Sequence, residues 1–421
     1  MKDLQDLSEI AKENPQNAYS AYTKGLSHKW ANVQRTIKDI SHLFSPLEKV
    51  LRDDFIPTIV GRTISDIERQ MIALPLRFGG LGIQNPVDTA NREYTASNSI
   101  TKQLQSLIFA QDTDLGKMDK SMVAHEKEML KADKELFFKA EYNRLHQLLP
   151  AEQQKTFEEA SQKGASAWLS ALPLKAMGYC LNKSEFKDSI CLRYGWKIAD
   201  IHTHCACGKP NDINHVQTCT RGGYIIFRHN ALRDTEAVLL KEVCKDVRTE
   251  PMLLPTDKNG HPPGTIVEDQ ARLDIVGTGL WGTFERTYFD IRVTHPVCKT
   301  HSNTSLEKLL SSNEKAKHRS YSSRVINTER SSFVPLVFST GGSAAKECDR
   351  HHRRVAELIA NRRKEPYSDI LSYIRTRVRF ALLRSVLMAV RGIRGKSPPK
   401  PVPMAYVPFN FIPSKDIYEC R

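Results

Sequence analysis

Residues 271–295 read ARLDIVGTGLWGTFERTYFDIRVTH, and their pattern decides the fold. Over residues 271–276, Leu273 and Ile275 alternate with Arg272 and Asp274. Over residues 287–294, Phe289, Ile291 and Val293 alternate with Tyr288, Asp290, Arg292 and Thr294. A period of two marks a strand. Gly277, Gly279 and Gly282 punctuate a turn between the runs. The stretch therefore predicts a β-hairpin. Antiparallel pairing turns Asp274 and Asp290 to one face, with Arg292 beside them, and the apolar set to the core. Two carboxylates about one hairpin-width apart repel unless a divalent cation sits between them. A surface sheet whose polar face is simply wet is the alternative reading.

Working outward, residues 228–243 (RHNALRDTEAVLLKEV) and residues 305–325 read as helices on either side of the hairpin. A third strand follows at residues 333–338 (FVPLVF), ended by Gly341-Gly342. Upstream, residues 205–219 read CACGKPNDINHVQTC. Cys205, Cys207, His215 and Cys219 offer three thiolates and one imidazole, a donor set suited to tetrahedral Zn²⁺. His202 and His204 are alternative ligands. A filled four-ligand site is structural and closed.

Residues 1–100 read as helical, as in residues 30–44 with apolar side chains at three- and four-residue spacing. Asp53-Asp54 lies in a helical pattern and reads as solvated charge, not as a polymerase's acidic pair. Residues 101–200 form a helical linker rich in Lys, Glu, Gln and Ala over its first part. Residues 346–396 are a basic helical extension. They hold Arg353 and Arg354 and a long helix at residues 369–391, on which Arg377, Arg384 and Arg391 recur every seven residues. A basic face of this kind suits phosphate; a core helix with a solvated basic face is the alternative. Residues 397–421 form a Pro-rich tail, expected to be extended.

The chain has 62 Lys and Arg against 48 Asp and Glu, a net charge of +14. That balance favours an anionic partner, most simply nucleic acid. No run of 18 apolar residues occurs, so no membrane span is expected, and residues 1–6 show no secretory h-region. Nine irregularly spaced cysteines argue against a disulfide framework and for a reducing compartment.

The order helix, strand, strand, helix, strand, with Asp on the first strand and Asp-x-basic on the second, resembles the PD-(D/E)xK nucleases. The whole array resembles the region downstream of the polymerase in non-LTR retrotransposon proteins that carry a restriction-like endonuclease. The matching pieces are LPLRFGGLGI at 74–83, WLSALPL at 168–174, LRY at 192–194, the CCHC knuckle, Gly222-Gly223 and Arg228-His-Asn. RLDI at 272–275, FDIRV at 289–293 and FVPLVFSTGG at 333–342 follow in order. The resemblance implies an α+β chain with a thumb-like helical region at 1–100, the linker, a zinc knuckle at 201–223 and a nuclease core at 224–345. It implies Mg²⁺ or Mn²⁺ held by Asp274 and Asp290, with the Ile291 carbonyl as a further ligand, and structural Zn²⁺ in the knuckle. Lys317, four residues before Tyr321, matches the family's Lys-x-x-x-Tyr; Lys315 is the alternative.

Arg292 stands where the usual motif has Lys. It keeps its proton and is a poor base, so phosphate binding is its expected role. Arg228, His229, Arg353, Arg354, Arg377 and Arg384 are expected to contact nucleic acid. The implied activity is nicking of target DNA to prime reverse transcription, with DNA and element RNA as partners, no membrane, and an intracellular, nuclear location. The family's zinc spacings are slightly longer than those here. No fingers–palm polymerase is visible, so no polymerisation is expected, and the chain reads as a C-terminal fragment, a truncated copy or a partial gene model. An inactive nucleic-acid-binding remnant and a zinc-stabilised scaffold without nucleic acid are the rival readings.

Overall fold

A computed structural model describes residues 2–112, 119–301 and 304–392; the Pro-rich tail lies outside the described residues. The chain forms two compact units, Met1–Gln162 with Leu181–Tyr194, and Lys163–Cys180 with Gly195–Arg421. The expected linker is thus divided between them.

The first unit is helical: α1 (Lys2–Glu13), α2 (Pro15–Lys24), α3 (Ala31–Thr36), α4 (Ser45–Val50), α5 (Ile56–Val60), α6 (Asp66–Ala73), α7 (Pro86–Phe109), α8 (Lys120–Leu148) and α9 (Ala151–Ser161). Its last helix is α11 (Lys183–Tyr194), since α10 (Ala167–Ser170) belongs to the second unit. The helix expected across residues 30–44 breaks after Thr36, where Asp39 takes a left-handed φ of 57°. Leu51–Phe55 is a π-turn joining α4 to α5. It buries Leu51 and Phe55 and leaves Asp53 and Asp54 exposed, as a solvated pair should be. Ser65 and Glu68 close a capping box at the start of α6. The Gly79-Gly80 turn needs its glycines: a Cβ on Gly80 would stand 1.9 Å from the Leu74 carbonyl oxygen.

The second unit is α+β. It contains α10, α12 (Ile213–Thr218), α13 (Tyr224–Lys241), α14 (Leu306–Asn327), α15 (Lys346–Arg363) and α16 (Tyr367–Arg391) around strands β1 (Lys245–Thr249), β2 (Ile275–Thr278), β3 (Arg286–Thr294) and β4 (Ser332–Ser339). The strands run in the order β1-β2-β3-β4. β1, β2 and β3 are antiparallel and β4 is parallel to β3. A parallel neighbour needs a crossover, and α14 supplies it. Pro335 sits in β4 opposite Asp290. Its missing N–H is tolerated because β4 is an edge.

Two features depart from the sequence pattern. The hairpin's first strand begins at Ile275, because residues 271–273 are bonded to the segment after β1, Leu253 N–H to the Ala271 carbonyl and Leu273 N–H to that of Pro251, while the Asp274 N–H already donates to Phe289 of β3. β1 itself was hidden, being a charged, bulged edge strand with no apolar alternation.

Helices cover both faces of the inner part of the sheet, although β1 and Arg292 stay exposed. Tyr288, Phe333 and Val276 pack with Val325 and Tyr321 of α14, and Val337 packs with Leu306 and Leu310. On the other face Phe289 and Phe338 meet His351 and His352 of α15. α16 is buried on nearly every side, Arg377 and Arg379 included, so it is a core helix that takes arginines inside.

Candidate active site and metal centre

Ile275 pairs with Phe289, which sets Asp274 directly opposite Asp290 at the end of the antiparallel ladder. Opposed residues share a face, so the two carboxylates are neighbours as the alternation predicts. The Asp274 Oδ2 accepts the Ile291 N–H at 2.6 Å and meets His229 Nε2 at 3.1 Å. Among the described residues both bonds use Oδ2, which leaves Oδ1 open to a cation. Ile291 points its N–H at Asp274, and in a strand its carbonyl projects to the same edge.

Asp290 is 5% exposed and forms an ion pair with Lys317 of α14. Lys315 is exposed; α14 turns Lys317 inward instead. Tyr321, one turn on, lies under the Lys317 ammonium at 5.6 Å. Burial pushes the Asp290 carboxyl up to about 6, with the Asp274 charge adding to the rise and Lys317 opposing it. At His229 burial disfavours the imidazolium, but the bond and charge of Asp274 outweigh it and raise the pKa. Two crowded carboxylates, one strained towards its neutral form, are a hard-oxygen donor set that a divalent cation relieves. Arg292 lies two residues beyond Asp290 on the same side of β3 and is exposed.

The knuckle converges as the sequence predicts. The ligand atoms of Cys205, Cys207, His215 and Cys219 all lie within 4.8 Å of one another. The Cys205 and Cys219 sulfurs are 3.8 Å apart, and the Cys207 sulfur is 3.2 Å from His215 Nε2. A tetrahedral ion at about 2.3 Å from each sulfur separates the sulfurs by about 3.8 Å. The cluster can hold a metal such as zinc. The Gly208 N–H closes the turn onto the Cys205 carbonyl at 2.8 Å, with Gly208 at φ 83°. Asp212 caps α12 through the His215 N–H at 2.7 Å, which orients that ligand. His202 and His204 are not part of the cluster. His295, just after β3, ties α12 to the sheet through Asn214 (2.9 Å) and Thr340 (2.8 Å).

The expected nucleic-acid contacts divide. Arg228 is 4% exposed, donates to the Gln217 carbonyl at 3.0 Å, and is pushed down to about 10 by burial. Arg377 is 1% exposed. Both expectations are corrected, because a buried guanidinium does not reach a partner's phosphate. Arg384 is half-buried and donates to the Cys180 carbonyl. His229 belongs to the carboxylate centre. Arg353 and Arg354 do line a surface cavity of about 520 Å³, together with Arg350, Trp281 and Tyr367. Arg350 lies over the Trp281 ring at 4.9 Å. Trp281 and Arg350 went unread in the sequence, although a Trp between turn glycines was a visible signal.

No protein-family model matches the chain, and no curated protein is significantly similar to it. No helix among the described residues is long and apolar enough to cross a membrane.

Proposed function

We propose that the C-terminal unit is a metal-dependent DNA endonuclease of the restriction-like kind found in non-LTR retrotransposon proteins, nicking target DNA to prime reverse transcription. One observation carries this reading: Asp274 and Asp290 oppose each other across the hairpin while Lys317 reaches Asp290 from the β3–β4 crossover helix. The element order and the Lys317-x-x-x-Tyr321 spacing resemble that nuclease class.

Asp274 and Asp290 would hold Mg²⁺ or Mn²⁺, with the Ile291 carbonyl as a further ligand; the bound ion supplies a hydroxide nucleophile and offsets phosphate charge. The Ile291 N–H and His229 fix the orientation of the Asp274 carboxylate. Lys317, a compact cation beside Asp290, orients water or stabilises the charge that builds on the phosphate. Arg292 binds phosphate and does not act as a base, because it keeps its proton. The knuckle's zinc is structural. Arg353, Arg354 and the Trp281–Arg350 stack give DNA or element RNA a basic, aromatic surface. A nuclear location belongs to the same reading.

The test is nicking of supercoiled plasmid with and without Mg²⁺. The parent should nick only with Mg²⁺, and Asp274→Ala should bind DNA but not nick. Equal nicking by the two, with contaminating nuclease excluded, would sink the assignment. Arg292 in the motif's Lys position favours the rival reading of an inactive binding remnant, which predicts salt-dependent DNA binding and no nicking by the parent.

A further inference from the structure

We propose that Glu236, His351 and His352, joined by Cys348, form a second metal site, separate from the knuckle, that takes Zn²⁺ or a similar borderline divalent ion. The site pins α13 to α15 and stands whether or not the nuclease reading does.

His352 Nε2 lies 2.7 Å from Glu236 Oε1 and His351 Nε2 lies 3.3 Å from Oε2. The three ligand atoms all fall within 4.8 Å of one another. An ion at about 2.0–2.2 Å from nitrogen and oxygen needs such atoms roughly 3.3 Å apart, so little movement is required. The imidazoles are aimed by packing: Phe289 of β3 lies against His351 at 5.1 Å and Phe338 of β4 against His352 at 6.0 Å.

The site is also dry. Glu236 and His351 are 0% exposed and His352 is 3% exposed. Each carboxylate oxygen of Glu236 faces one imidazole nitrogen. A carboxylate in a dry core is costly unless a proton or a cation neutralises it. Cys348 supplies the remaining piece. It is 0% exposed, and its position three and four residues before the histidines sets it on the same face of α15. Its sulfur is not among the atoms that lie within 4.8 Å of one another, so a side-chain rotation would bring it to the ion. One divalent ion, one carboxylate, one thiolate and two neutral imidazoles sum to zero charge. On binding, the Cys348 S–H bond breaks, a sulfur–metal bond forms, and the proton leaves to solvent. Four protein ligands close the site, so its role is structural.

The experiment uses the full chain, stripped with chelator under reducing conditions and titrated with Co²⁺ in excess Mg²⁺. The parent should bind about two equivalents. Cys219→Ser should remove the one with the strong three-thiolate absorption and keep the other. Glu236→Gln and His352→Gln should each remove the second and keep the knuckle's spectrum. Should both unfold, Cys348→Ser decides, with the second equivalent weakened at least about tenfold and its weaker thiolate band lost. A parent that binds one equivalent overturns the site and leaves a carboxylate neutralised by a histidine proton. Two equivalents kept in the folded Glu236→Gln and His352→Gln proteins, or a second equivalent unmoved by Cys348→Ser, overturn it equally.

Discussion

The carboxylate centre and the knuckle lie in the same unit and gather ligands in opposite ways. Asp274 and Asp290 are hard oxygens held by one pair of strands, with an oxygen of Asp274 left open. The knuckle gathers three sulfurs and one nitrogen from a tight turn and a short capped helix, and its four ligand atoms lie within 4.8 Å of one another. The difference teaches how to read ligand clusters. A closed soft set is an anchor, whereas an open crowded set is strained until a cation or substrate arrives. Asp290 shows that strain in a carboxyl pushed up to about 6.

The largest effect expected from this contrast is at the anchor. Structural zinc in isolated fingers contributes on the order of 10–16 kcal/mol. Cys219→Ser should therefore release about one zinc per chain and unfold residues 201–223, read as lost amide protection confined to that segment. A knuckle that stays protected without metal would break the comparison. Next comes Asp274→Ala. Metal-assisted catalysis is worth several kcal/mol, so nicking should fall by on the order of 10³-fold while thermal stability holds or rises, because a like charge beside Asp290 is gone. A large loss of stability would mark Asp274 as an anchor instead.

Lys317→Met is a smaller and more informative change. Lys317 holds the Asp290 carboxyl down against burial and Asp274, so its removal should move that carboxyl's midpoint above about 6, followed by carboxyl-carbon NMR in metal-free protein. Nicking should fall by about 10²-fold, with the deficit larger at pH 6 than at pH 8, since the protonated carboxyl cannot hold a cation. A midpoint that stays or drops would mean the ammonium is not where its charge counts.

The alternation of residues 287–294 made the hairpin, the facing aspartates and the shared face legible, because register alone determines which side chains meet. The knuckle was legible from donor type and spacing. β1 was not, since its charged residues Lys245, Asp246 and Arg248 mimic a loop. Arg377 was misread because a seven-residue repeat of charge looks the same whether its face meets water or the core, and for Arg228, outside that repeat, only packing shows that it donates to the Gln217 carbonyl. Glu236 with His351 and His352 was invisible, because more than 100 residues separate them and no local pattern links α13 to α15.

The smallest predicted effect tests whether anchor and centre are coupled. His295 directly follows β3 and bonds Asn214 of the knuckle helix through Nε2 and Thr340 through Nδ1. The neutral ring suits both partners, with one nitrogen donating to the Asn214 oxygen and the other accepting the Thr340 hydroxyl. Burial, helped by the Arg228 charge, lowers its pKa to about 3, against about 6.5 in an unfolded chain. The sign follows directly. Between those values the unfolded chain binds a proton that the native ring refuses, so stability is whole above about pH 6.5 and declines as pH falls below it. From pH 7 to pH 5 this one ring should remove about 2 kcal/mol. His295→Leu removes the titration along with both bonds, so it should be less stable at pH 7 but flatter with pH by that amount in urea unfolding. If anchor and centre are coupled through this residue, the Leu variant should also nick more weakly at pH 8, where the depressed His295 is neutral, while keeping its zinc. Unchanged nicking there would separate the two regions and leave His295 as a tie for the knuckle alone.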